Sequence, residues 1–219
     1  MTKRPAGRRT PTPDARIRDA ERTKSRLIDA AFDEFAAHGY AGARVRDIAD
    51  RAGVNKQLIS YYFGGKEGLF RALTQQWHWF EDELHDRSPT LAELAVGYLR
   101  RGLADPRGTR LSLWQAISEP SKAADPDDQQ RAATDLERLR DRQLAGELPP
   151  DLDLASLQIA ITGMVVAPVI FPDLVRDLTG DSADSEEFAD RYADALTKII
   201  NRLRSDPDSP TSVDEKGHS

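Results

Sequence analysis

Apolar side chains recur along most of this chain at intervals of three and four, the period of a helix with one buried face. From Thr23 to His38 the stripe is Leu27, Ile28, Ala31, Phe32 and Phe35, and Gly39 stops it. A shorter stripe follows: Val45, Ile48, Ala49 and Ala52. Gly53 comes next, where a chain leaving a helix turns through positive φ. Val54 is placed to fill the corner, and Asn55 to cap the next helix through its side-chain oxygen. Ile59 and Phe63, four apart, pack that helix onto its predecessor. Two such short helices cannot bury their own apolar face. Phe32 and Phe35 of the preceding helix are the expected floor for Ile48 and Ile59.

Two short helices joined by a glycine turn make a helix-turn-helix, whose second helix can lie in a DNA major groove. The side of that helix opposite Ile59 and Phe63 carries Gln57 and Tyr61, flanked by Leu58 and Ser60, with Lys56 at the helix start. Hydrogen-bonding side chains concentrated on one exposed face suit the reading of base edges. Lys56, Gln57, Ser60 and Tyr61 are the expected base contacts, and Leu58 the expected partner of a thymine methyl.

Beyond the motif the helical period continues. A helix is expected from Lys66 to about His85, its stripe Leu69, Phe70, Leu73, Trp77, Phe80 and Leu84. Others are expected at Thr90–Leu103, Thr109–Ser118 and Gln129–Ala145, punctuated by Pro106, Pro120, Pro126 and the Pro149–Pro150 pair. Asp153–Val166 is apolar on nearly all sides, and Ser185–Leu203 carries Phe188, Tyr192, Ala195, Leu196, Ile199 and Leu203. Pro168 should kink or end the former. No strand pattern and no repeat is evident. The expected fold is all-α: a three-helix DNA-binding domain followed by a helical bundle.

Net charge is −6, which is unusual for a nucleic-acid binder until the chain is divided. Met1–Phe70 carries +5 and the remainder −11, so positive charge gathers where phosphates are expected. Met1 to about Ala20 is a basic, Pro-rich arm (KRPAGRRTPTP), expected to be disordered. It suits a phosphate backbone or a minor groove, or serves only as a solubilising tail. The polar tail after Ser205 is likewise expected to be disordered. There is no Cys, hence no disulfide or thiolate site, which fits a cytoplasmic protein. No signal peptide is visible, and the Ile159–Phe171 apolar region is too short to span a bilayer. Enzymatic signatures are missing: no Gly-rich phosphate loop, nucleophile elbow or paired-His metal motif. His78, Asp82 and His85 share one helical face at spacing suited to a metal, but a solvated polar face explains them as well. No metal or cofactor is expected.

Arg22 to Leu73 resembles the DNA-binding domain of the TetR family of bacterial transcriptional regulators. The matching residues are TKSRLIDAAFDEFAAHGY, VRDIADRAGV and ISYYFGGKEGLF. The resemblance implies a homodimer whose subunits join a DNA-reading unit to a C-terminal effector-binding domain. It implies Tyr62 and Lys66 as phosphate anchors. Arg44 is added on its charge and position, since it stands where the family usually has a capping Thr or Ser. Ser60 stands where the family often has Tyr, and Gly65 where Ser commonly caps the next helix.

The expected divisions are an arm (1–20), the DNA-binding domain (21–66), an effector-binding and dimerisation domain (67–205) and a tail (206–219). Trp77, Tyr98, Trp114, Met164 and Phe171 are large apolar candidates for an effector pocket, with core packing the alternative. In the Asp153 helix, Leu154, Leu157, Ile161 and Val165 can face the core, leaving Ala155, Ile159, Val166 and Ile170. Ile159, Val166, Ile170, Tyr192, Leu196 and Ile199 are the expected dimer interface, unless both faces are used within one subunit. The expected partners are an operator duplex, a second copy and an unidentified small molecule, with no membrane. Function narrows to a ligand-released repressor, an activator of the same architecture, or an architectural binder using phosphate contacts alone.

Overall fold

The computed structural model describes residues 13–118 and 126–203, and side chains outside 13–16, 78–80 and 126. The arm up to Thr12, the tail after Ser205, and the His78 and Phe80 side chains therefore lie outside the described residues. Ten helices make up the described chain: α1 (Pro13–Gly42), α2 (Val45–Ala52), α3 (Gln57–Phe63), α4 (Lys66–Arg87), α5 (Leu91–Ala104), α6 (Arg107–Ser118), α7 (Pro126–Leu144), α8 (Leu154–Ile170), α9 (Pro172–Thr179) and α10 (Glu186–Asn201).

They form two compact units, Met1–Phe80 with Arg110–Ser118, and Glu81–Thr109 with Glu119–Ser219. In the first unit, Leu27, Ala31, Phe35, Ile48, Ile59 and Leu69 are fully buried in one cluster with Phe32. This is the expected floor. Phe35 lies edge-on to Phe70 at 5.1 Å and stacks with Tyr40 at 5.9 Å. The unit runs on to Phe80 because Leu69 and Leu73 join this core and Trp77 meets Phe32 edge-on at 6.1 Å. Leu111 of α6 closes it.

Both ends of α1 differ from the sequence reading. Helix α1 starts at Pro13, ten residues before Thr23, so the last part of the expected arm is helical. Pro fits the first turn of a helix, where its missing N–H costs nothing. Helical geometry does break at Gly39 (φ 67), but another turn runs to Gly42.

In the second unit, Leu91, Ala95 and Leu99 of α5, Leu139 of α7, Leu157 and Ile161 of α8, and Leu196 and Ile200 of α10 share one core. Three of its helices open on side-chain caps that satisfy otherwise orphaned N–H groups. Thr90 and Glu93 form a reciprocal box, Asp153 accepts from Ser156 N–H at 2.8 Å, and Ser185 accepts from Phe188 N–H at 3.2 Å. Pro168 lies inside α8 and does not end it; the chain turns at Phe171, and α8 and α9 are bent by 86°. Among the described residues, no single helix is long and apolar enough to cross a membrane.

Candidate nucleic-acid interface

Helix α2 follows Arg44, whose side chain makes no cap. The carboxylate of Glu34, only 4 % exposed, accepts the Arg44 backbone N–H at 3.4 Å and lies 3.3 Å from His38 Nδ1. A buried acid on α1 thus supplies a partner beside the helix start, where the side chain at position 44 does not. Sequence reasoning missed Glu34, because its place in the α1 stripe shows only after the chain folds back.

The turn is fixed by backbone. Gly53 takes φ 63 and ψ 40, and the N–H groups of Gly53 and Val54 donate to Asp50 and Ala49 carbonyls at 3.1 and 3.0 Å. Arg26 of α1 donates to the Ala52 carbonyl, a cation meeting the partial negative charge of a helix end. A Cβ on Gly53 would lie 2.8 Å from the Arg26 guanidinium, so glycine is favoured there by conformation and space. Asn55 Oδ1 then accepts the Gln57 N–H at 2.9 Å, as its capping role requires.

Helix α3 ends at Gly64 (φ 72). Its carboxyl end meets α4 so closely that a Cβ on Gly68 would lie 1.8 Å from the Phe63 carbonyl oxygen. Between these anchors Ile59 is fully buried, while Lys56, Gln57, Ser60 and Tyr61 are exposed, Tyr61 by 78 %. Positions 57, 60 and 61 fall within one arc of a helix. They form a projecting polar and aromatic face on a rigid base. Leu58, however, is half-buried against the core and is less available to a thymine methyl than the sequence suggested.

The three expected phosphate anchors differ in freedom. Arg44 is exposed. Tyr62 is half-buried, 4.9 Å edge-on from Tyr61, with the Lys24 ammonium 5.8 Å from its ring centroid. Lys66 is drawn inward: its ammonium lies 4.7 Å from the Tyr40 ring centroid and donates to the Ala41 carbonyl at 3.4 Å. Partial burial pulls its pKa below the ordinary lysine value, against the pull of Glu34.

The expected effector residues are divided between the two units. Trp77 and Trp114 belong to the first unit, Trp114 lying over Gly39. Tyr98 and Met164 belong to the second, and Phe171 is 56 % exposed at the end of α8. Tyr98 meets His85 edge-on at 6.0 Å, and burial pushes its hydroxyl pKa well up. A 260 Å³ cavity in the second unit is lined by other residues, among them Arg100, Leu103, Ala183 and Glu186. Size and apolarity selected the five; they carry no information on which helix faces which.

The expected dimer set also divides. Ile159 is 74 % exposed and Ile199 46 %, while Val166 and Ile170 are half-buried. Leu196 is 2 % exposed and is a core residue of its own subunit, because α10 turns that face onto α5. Tyr192 is half-buried, stacks with Phe188 at 5.5 Å, and its hydroxyl donates to the Met164 carbonyl at 2.9 Å. Asp82 pairs with Arg138 at 3.0 Å, and His85 lies 3.7 Å from Asp135. The described residues hold no group of three His, Asp or Glu side chains placed for a metal.

A buried helix pair joined by a positive-φ glycine, presenting one polar helix face, defines a helix-turn-helix DNA-binding transcriptional regulator. Residues 27–73 match the family described as bacterial regulatory proteins, tetR family. The HTH-type transcriptional repressor SCO4008 of Streptomyces coelicolor is 32 % identical over 196 residues, 84 % of this chain and 98 % of that protein. The probable HTH-type transcriptional regulator ArpR of Pseudomonas putida is 27 % identical over 201 residues, 81 % and 93 % of the two chains. The crystal structure of the putative transcriptional regulator SCO4942 from Streptomyces coelicolor superposes with a TM-score of 0.69 at 27 % identity, over 84 % of this chain and 99 % of that one. The chain belongs to the tetR family.

Proposed function

We propose that this regulator is a homodimeric, cytoplasmic repressor released from a near-palindromic operator by a small molecule. The observation that carries the reading is the exposed face of α3 over the fully buried Ile59. Lys56, Gln57, Ser60 and Tyr61 meet base edges; Arg44, Tyr62 and Lys66 hold phosphates. Residues 21–66 read DNA, and 67–205 bind effector and partner. Repression is favoured over activation because the Streptomyces coelicolor relative SCO4008 is a transcriptional repressor. Two copies pair through α8 and α10, where Ile159 and Ile199 stand exposed. Two recognition helices related by a two-fold axis then read half-sites one helical turn or more apart. Helix α4 contributes Lys66–Phe80 to one unit and Glu81–Arg87 to the other, and effector binding swings it. Ligand-bound and ligand-free structures with equal recognition-helix separation would remove that switch.

Fluorescence anisotropy tests the reading, with the DNA upstream of the protein's own coding region against a scrambled duplex at two salt concentrations. Tight binding that survives the higher salt and fails on the scramble is expected. Equal binding that collapses with salt would leave only phosphate attraction and overturn it.

A further inference from the structure

We propose that Trp114 is a positioning residue for DNA binding: its ring seats the α1–α2 corner to which the phosphate anchors Arg44 and Lys66 are tied. The inference rests on the anchor reading above and deepens it. Helix α1 breaks at Gly39, with φ 67 and ψ 174, a conformation essentially reserved for glycine. Glycine is also the least restrained residue in a chain, so the break needs holding from outside. Trp114 of α6 supplies the hold. Apart from the local helix backbone, the three atoms nearest to where a Cβ on Gly39 would stand all belong to its indole, at 3.3 to 3.4 Å. Leu111, three residues earlier on α6, is buried in the first unit's core and fixes the helix that delivers the ring.

From Gly39 the restraint reaches both anchors. The Gly39 carbonyl accepts the Ala43 N–H at 3.2 Å, and Ala43 is buried. Arg44 comes next, its own N–H turned to Glu34. On the other branch, Tyr40 is wedged between the rings of Phe35 at 5.9 Å and Phe70 at 5.0 Å. The Lys66 ammonium lies over Tyr40 and donates to the Ala41 carbonyl. A shift at Gly39 therefore moves the start of α2 and the seat of Lys66 together. Trp114 lies beyond residues 27–73, the segment that matches the family, so this support comes from the chain's own later sequence.

The test is the salt dependence of binding to the upstream duplex and to its scramble, from about 50 to about 200 mM salt. It compares the full chain, Trp114→Ala, Trp114→Phe, the double variant Arg44→Ala with Lys66→Ala, and that double variant with Trp114→Ala added. Each neutralised phosphate contributes about 0.9 to the slope, so the double variant should flatten it by about 1.8 on both duplexes. Trp114→Ala should flatten the parent's slope by at least about 0.9 and the double variant's not at all. Trp114→Phe, which keeps a ring on Gly39, should recover the parent slope. No flattening by Trp114→Ala overturns the proposal. So does a flattening that recurs in the double variant or that Trp114→Phe does not reverse, since the ring would then only fill space. Should Trp114→Ala fail to fold by circular dichroism, Trp114→Leu, which keeps apolar bulk without a flat ring, carries the same comparison. Failure of the anchor reading shows separately, as a double variant whose slope matches the parent's.

Discussion

Helices α2 and α8 show how differently the two units use apolar residues. The eight residues of α2 bury Ile48, Ala49 and Ala52 along one stripe. The seventeen of α8 are apolar almost all round, yet only Leu157, Ile161 and Pro168 are buried, while Ile159 stands clear. A single-striped helix declares which side is covered and leaves the rest for polar work. An all-round apolar helix declares only that more covering is needed. The first unit is therefore specified from within, whereas α8 of the second leaves Ile159 uncovered.

The largest effect should come from breaking the self-contained core. Phe35→Ala should cost about 3–5 kcal/mol in urea denaturation and abolish DNA binding. A cost under about 1 kcal/mol would mean the first unit does not depend on its aromatic centre. Next, Leu196→Ala should destabilise the fold by about 2–5 kcal/mol, whereas Ile159→Glu should leave secondary structure intact and dissociate the dimer in sedimentation. If Ile159→Glu stays dimeric, α8 does not carry the interface. Smaller again, Gln57→Ala should lose about 1–3 kcal/mol of discrimination at one base position, while Lys66→Ala weakens operator and random DNA alike. Equal losses from both changes would end the distinction between reading and holding.

Two modest effects sharpen the comparison. Arg44→Thr should restore a side-chain cap and raise stability by about 1 kcal/mol; no gain would show that Glu34 already serves α2 fully. In the second unit, burial holds the pKa of His85 below its ordinary value of 6.5, with Arg138 adding to the effect and Asp135 opposing it. The folded state then binds fewer protons than the unfolded chain. Stability from this site is complete above 6.5 and declines as pH falls below it. His85→Gln should flatten that acid limb of the urea midpoint; an unchanged limb would assign it elsewhere.

Where a residue's role follows from its own neighbours in sequence, it was legible. Gly53, Asn55, Ile59 and the stripe from Leu27 to Phe35 act through spacings of a few residues, and each sits as its spacing requires. What was not legible depends on distant partners. Leu196 and Ile199 look alike on a helical projection, and only α5 decides which is covered. Trp114 could not be assigned to the first unit without Gly39 beneath it. Helix α9 was missed although both its signals are local, Pro172 at its first turn and Gly180 (φ 77) at its end. Its single buried residue, Val175, left no stripe to notice. That Lys56, Gln57, Ser60 and Tyr61 point outward was readable from the spacing of Ile59 and Phe63.

Arg26 on the Ala52 carbonyl and Gly68 against the Phe63 carbonyl hold α3 in place through the turn before it and the helix after it. Gln57, Ser60 and Tyr61 carry none of that support. Substitutions at these three exposed positions should therefore leave the fold's stability nearly unchanged. The glycine at 68 has no such freedom, since any side chain there would collide with the Phe63 carbonyl and push α3 and α4 apart.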